Sequence, residues 1–283
     1  MSSTPRAATL VRPSIAFLAA AVLTTALIVT TPPPADAAPT WAPVTSATIR
    51  PGVMTFTEGA QCTANFVFTD GTNVYLGQAA HCAGTGGGAN GCDSGSLPLG
   101  TSVTLSGASQ AGALVYSSWL TMQQVGETDP NACHHNDFAL VKLHPADHGK
   151  VNPTVPFWGG PKGLDTDGTL VGEPMYSYGN SSLRLGLSLL SPQRGYSLGD
   201  SAGGWNHQVY SVPPGVFGDS GSGVLDGGGR AVGTLQTVQL APLVGSNGVS
   251  DLHLELDYMR DHTGLDAVDL VNGTQPFQAG RLL

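Results

Sequence analysis

From Arg50 onward the chain consists of short β-branched and aromatic runs, each broken within a few residues by Gly, Asn, Asp or Pro. This punctuation is the strongest constraint on the fold, because a strand needs only roughly four to eight residues whereas a helix needs about ten or more uninterrupted ones. Thr63–Phe68, Val74–Gln78, Ser102–Leu105, Ala113–Tyr116 and Phe138–Leu143 read as strands. After a stretch from His144 to Gly163 that holds Pro145, Pro153, Pro156 and Pro161, strands resume at Thr169–Val171, Leu183–Leu190, Gln208–Val212, Gly223–Leu225 and Ala231–Val238. Leu252, Leu254 and Leu256 alternate at period two and extend a last strand from Val249; Asp257–His262 then reads as a short helix stopped by Gly264. No amphipathic helix pattern precedes it. Gly (39), Pro (20) and only 11% charged residues suit turns between strands. The fold class expected is all-β, with two antiparallel barrels or sandwiches on either side of the Pro-rich crossover. The expected boundaries are a leader at 1–37, a short segment at 38–49, a first β unit at 50–145, a crossover at 146–163, a second β unit at 164–256 and a helix with tail at 257–283.

Arg6 and Arg12, the apolar run Ile15–Val29, and Ala35, Asp36, Ala37 follow the order of a secretory signal peptide. The run is shorter than the roughly 20 residues of a spanning helix, so a secreted, extracellular protein with no stable membrane association is expected after cleavage. Export also exposes Cys62, Cys82, Cys92 and Cys133 to an oxidising compartment, where two disulfides are the economical reading. Three pairings remain open at this level. No C-x-x-C or H-x-x-x-H spacing argues for zinc, and Asp165, Thr166, Asp167, Gly168 has Tyr176 where a calcium loop ends in Glu. With a net charge of −9 and no Lys/Arg cluster, nucleic acid is excluded as a partner. A monomer acting on protein or peptide is expected.

Three segments carry chemistry. In Gly218, Asp219, Ser220, Gly221, Ser222, Gly223 a serine sits among glycines that let main chain approach a ligand. Its hydroxyl needs a base, and an acyl intermediate needs N–H donors for its oxyanion. Ala79, Ala80, His81, Cys82 places a histidine at the end of an apolar run, where it can be that base. In Asn136, Asp137, Phe138, Ala139, Leu140, Val141 a carboxylate opens an apolar strand and needs a partner such as an imidazole N–H.

Together and in this order, these segments resemble the chymotrypsin-like serine peptidases, over about Gln61 to His262. The resemblance implies two antiparallel β-barrels with a short C-terminal helix, His81 as base, Asp137 as orienting carboxylate, Ser220 as nucleophile, and the N–H groups of Gly218 and Ser220 as the oxyanion hole. It further implies the pairings Cys62–Cys82 and Cys92–Cys133, and a hydrolysis that needs no cofactor. Pro214 is expected at the base of the substrate pocket and Val238 on its wall, favouring small or medium apolar side chains. No Ile-Val-Gly-Gly terminus exists to pair with Asp219, so an internal cation, Arg184 or Arg194, is expected there.

Two other readings compete. Gly199, Asp200, Ser201, Ala202, Gly203 fits the G-x-S-x-G elbow of α/β-hydrolases, with Asp251 and His253 or Asp257 and His262 as partners, but no strand leads into it and no helix pattern follows. A binding protein of the same fold without activity is the other, and all three chemical side chains argue against it.

Overall fold

The computed structural model describes residues 1–2, 39–239 and 243–283, so the expected leader lies outside the described residues apart from its first two. No helix among them is long and apolar enough to cross a membrane. Seven strands come first: β1 Met54–Thr57, β2 Ala60–Thr63, β3 Val67–Thr69, β4 Val74–Gln78, β5 Ser102–Leu105, β6 Gly112–Ser117 and β7 Ala139–Lys142. Six more follow the crossover: β8 Pro174–Tyr178, β9 Pro192–Ser201, β10 Asn206–Val212, β11 Gly223–Leu225, β12 Ala231–Gln239 and β13 Ser246–Asp251. A last short strand, β14 at Asp269–Leu270, pairs with β3.

All strand pairs are antiparallel. The first group makes an eight-stranded sheet in the order β14-β3-β4-β7-β6-β5-β1-β2, and the second closes into a six-stranded barrel, β10-β13-β12-β11-β8-β9. Val209, Val224, Val232, Val249 and Met175 fill the closed barrel. Phe66, Phe68, Phe138, Trp158, Tyr176 and Leu256 share one cluster with side chains from both strand groups, which joins them through apolar burial. Trp158 is fully buried, and its indole N–H donates to Ser177 O at 2.7 Å, so the one polar atom of this large side chain is satisfied.

The helices differ from expectation. Helix α1, Ser118–Val125, and α2, Pro130–His135, stand between β6 and β7, and α3 runs from Leu252 to His262. The first two are too short to show a repeating apolar face, and their signals are local: Gly126 in the left-handed region ends α1, while Asp129 caps α2 by accepting from Asn131 N at 3.0 Å, with Pro130 at its first turn. The leucines read as a strand extension belong to α3. Leu252 and Leu256, four apart, are buried on one face while Leu254 is not, and Asp251 starts the helix by accepting from Leu254 N at 2.7 Å. The expected boundary at residue 257 therefore falls inside the helix.

Leu183–Leu190 and Thr169–Val171 are not strands either. The former holds two 3-10 turns, Ser182–Arg184 and Ser188–Leu190, with Leu185 and Leu189 exposed; β-like composition there has no neighbouring strand to pair with. Cysteines pair as Cys62–Cys82 and Cys92–Cys133, and no cysteine is free.

Candidate active site

His81 lies in a 3-10 turn, Ala80–Ala83, directly after β4, and Cys82 ties that turn to β2 through Cys62. The sulfurs of Cys62 and Cys82 and the His81 ring are close enough to suggest a metal group, but a disulfide has no thiolate to offer. Asp137, fully buried at the entry to β7, accepts from His81 N at 2.8 Å through Oδ1 and from His81 Nδ1 at 2.5 Å through Oδ2. Because an ionised carboxylate can only accept, Nδ1 carries the hydrogen and Nε2 of the neutral ring is left as an acceptor. Burial alone disfavours the imidazolium, yet the Asp137 charge and hydrogen bond outweigh it and raise the His81 pKa above its ordinary value.

Ser220 sits in the tight loop between β10 and β11, whose shape demands glycine at two places. At Gly221, φ is +88° and an added Cβ would lie 2.6 Å from Thr63 O; at Gly218, φ is +93° and it would lie 2.3 Å from Gln61 Oε1. Side chains fix the loop's carbonyls: Gly218 O accepts from Gln61 Nε2 (2.9 Å) and Thr63 Oγ1 (2.7 Å), and Phe217 O accepts from Ser181 Oγ (2.5 Å). The N–H groups of Gly218 and Ser220 donate to nothing among the described residues, and the Ser220 hydroxyl is equally uncommitted there. Main-chain N–H groups and a hydroxyl without partners are the kinds of group an oxyanion hole and its nucleophile use.

Asp219 anchors this loop from inside. It is fully buried; its Oδ2 takes the Arg184 guanidinium, Gln193 Nε2 (3.1 Å) and Val216 N (3.1 Å), and its Oδ1 accepts from Ser181 N (2.9 Å). Of the two cations nominated for it, Arg184 is the partner, while Arg194 lies over the Tyr176 ring, 5.6 Å from its centroid.

His81, Asp137, Gly218 and Ser220 line one cleft of about 510 Å³, together with Gln61, Trp119, Leu235 and Val238. The structure thus brings the three nominated side chains to one cleft and places Val238 on its wall. Pro214 is not among the residues lining this cleft, and its carbonyl accepts from Arg184 Nη2 at 3.1 Å. Gln61 and Ser181, which set the loop's carbonyls, were not nominated from sequence. They stand in ordinary polar text, and only their distant partners reveal them.

The competing serine lies elsewhere. Ser201 ends β9, its Oγ accepts from Asn206 Nδ2 at 2.8 Å, and the chain passes through one 3-10 turn, Ala202–Gly204, into β10 with no α-helix between. No histidine hydrogen-bonds it among the described residues. His207 and Asp251 bond each other instead, at 2.9 Å. The acidic text at Asp165 and Asp167 is closed by Arg230, which pairs with both and with Asp226 at 2.7 to 3.0 Å.

No family model matches the sequence, and no curated protein is significantly similar to it. Solved structures are. Protease A of Thermobifida fusca superposes with a TM-score of 0.50 at 17% identity, over 80% of this chain and 100% of that one. A glutamic acid-specific serine protease gives 0.50 at 17%, over 79% and 100%, and a Glu endopeptidase gives 0.50 at 15%, over 80% and 96%. At these identities the likeness is one of fold, and the fold is that of the bacterial chymotrypsin-like serine proteases.

Proposed function

We propose that this chain is a secreted serine endopeptidase that hydrolyses peptide bonds through Ser220, His81 and Asp137. The observation that carries the proposal is the convergence, on one cleft, of an imidazole bound through Nδ1 to a buried carboxylate and a loop offering a free hydroxyl and two free N–H donors. In this reading Ser220 Oγ attacks the scissile carbonyl and its proton passes to His81 Nε2. Asp137 stabilises the imidazolium, and the Gly218 and Ser220 N–H groups receive the oxyanion. His81 then returns the proton to the leaving amine, and water, activated by the same ring, releases the acyl group.

A fluorophosphonate tests the class directly, since only an activated serine reacts with it. The full chain should be labelled on Ser220 and should cleave an unfolded protein. An unlabelled, inactive protein would favour the binding-module reading. The rate should rise with pH, because only neutral His81 accepts a proton, and the midpoint should lie above the free-imidazole value of about 6.5 because Asp137 favours the charged form. A midpoint below that value would show that the coupling to Asp137 is not working in the enzyme.

Val238 on the cleft wall supports a preference for small or medium apolar side chains before the scissile bond. A peptide library should be cut mainly after such residues, and cutting chiefly after Arg or Lys would refute the assignment. Replacing Val238 by Gly should widen the tolerance toward aromatic side chains.

A further inference from the structure

Glu255 is a charged residue type in a place where charge is costly. It projects from α3 and has no exposed surface. Its Oε1 accepts from Asp137 N at 3.1 Å, and its Oε2 is bonded by Thr234 Oγ1 of β12 at 3.2 Å. Thr234 Oγ1 accepts in turn from Asn65 Nδ2 at 3.2 Å, and Asn65 Oδ1 accepts from Phe66 N at 2.6 Å. A buried chain of hydrogen bonds therefore runs from the first sheet through the second barrel and α3 to the main chain of Asp137. No Lys, Arg or His bonds Glu255 among the described residues.

We propose that Glu255 is a positioning residue for the Asp137–His81 pair, a carboxyl that keeps its proton, accepts the Asp137 main-chain N–H, and leaves Asp137 as the single negative charge behind the imidazole. This inference rests on the role given above to His81, Asp137 and Ser220. Physical chemistry supports the neutral form. Burial, first of all, and then the charges of Asp137 and Asp251 push the Glu255 carboxyl well above the usual range, against the lowering effect of hydrogen bonds from Ser250 and Asp137 N. The groups facing it are Asp137 at the entry to β7, Asp251 at the end of β13, Tyr116 on β6 and Thr234 on β12. Tyr116 is itself pushed well upward, first of all by burial, so it stays neutral too. An ionised Glu255 would add a second buried negative charge near Asp137, and like charges raise each other's cost of ionisation.

The test uses the whole protein and two substitutions. Glu255→Gln keeps the acceptor toward Asp137 N and offers an NH2 to Thr234, so kcat should stay within about threefold of the parent and the pH midpoint for His81 within a few tenths of a unit. Glu255→Leu removes the acceptor, and kcat should fall about ten- to a hundredfold with KM little changed, since the lost order lies behind the reacting groups and not in the substrate site. A fall in the His81 midpoint of more than about half a unit in Glu255→Gln would mean that Glu255 had been ionised and would overturn the proposal. Parent-like kcat in a folded Glu255→Leu would overturn it equally. Should the leucine variant fail to fold, the glutamine arm decides, read by NMR titration of His81 as well as by rate. That titration needs no turnover, so a parent protein that neither labels nor cleaves defeats the assigned function while the charge state of Glu255 is still measured.

Discussion

Ser220→Ala is expected to lower turnover by roughly four to six orders of magnitude while leaving the protein folded, because in the proposed mechanism that hydroxyl is the nucleophile on which base and oxyanion donors act as a unit. His81→Ala should cost about as much. Combining the two should add little to either alone, since each already disables the transfer of the proton and the attack that depends on it. This non-additivity separates shared machinery from two unrelated losses. Ser201→Ala is the control and should change the rate by less than about threefold, its Oγ being bonded to Asn206 and to no histidine. If Ser201→Ala abolished activity while Ser220→Ala spared it, the assignment of the nucleophile would be wrong.

The second large effect is expected at Arg184. Among the described residues its guanidinium is the only cation bonded to the fully buried Asp219, so Arg184→Ala leaves that carboxylate without this counter-charge in the interior. Breaking such a pair on one side costs about 3–5 kcal/mol, which for a domain of this size lowers Tm by roughly 6–20 °C. Activity should fall further than stability, by at least about a hundredfold at a temperature where the variant is folded, because Asp219 holds the loop that presents the Gly218 and Ser220 donors. Arg184→Lys should restore only part of this, since one ammonium cannot reproduce the guanidinium contacts to Asp219 and Pro214 O. Calorimetry and rate measurement on the two variants decide the matter. An Arg184→Ala protein with parent-like Tm and rate would show that the ion pair anchors nothing.

Arg184 also shows how far sequence reading reaches. That Asp219 needs a cationic partner is what the resemblance to the chymotrypsin-like peptidases implies, and it leaves two arginines open. Both stand in similar text, Leu-Arg-Leu and Gln-Arg-Gly. The chain path between β8 and β9 selects one, since the 3-10 turn at Ser182–Arg184 folds back onto the loop while Arg194 lies within β9 beside Tyr176. For Pro214, counting back from Ser220 gives its loop, but counting cannot say toward which side of the loop a residue turns.

Helix α3 gives the complementary lesson. Its leucines satisfy period two and period four at once over so short a run, and Asp251, which caps the helix, reads equally well as a strand end. Burial decides between them, and burial is a property of the packed molecule. The same holds for Glu255: within Leu252-His253-Leu254-Glu255-Leu256 it reads as the solvent-facing member of an alternating strand, yet on the helix it is the residue that points inward.

By itself the sequence determined the β-rich class and the export-compatible cysteine pattern, and it nominated His81, Asp137 and Ser220 through the motifs around them, because strand period, turn chemistry and short motifs are all local properties. The tertiary structure alone decided which arginine neutralises Asp219, which side chains aim the carbonyls of the Gly218 loop, and that a buried Glu255 lies behind Asp137. Each of these depends on groups more than thirty residues apart in the chain meeting within hydrogen-bond distance, as Arg184 and Asp219 do across 35 residues and Asp137 and Glu255 across 118. No local pattern encodes such a meeting; it exists only once two sets of strands have packed around a common core.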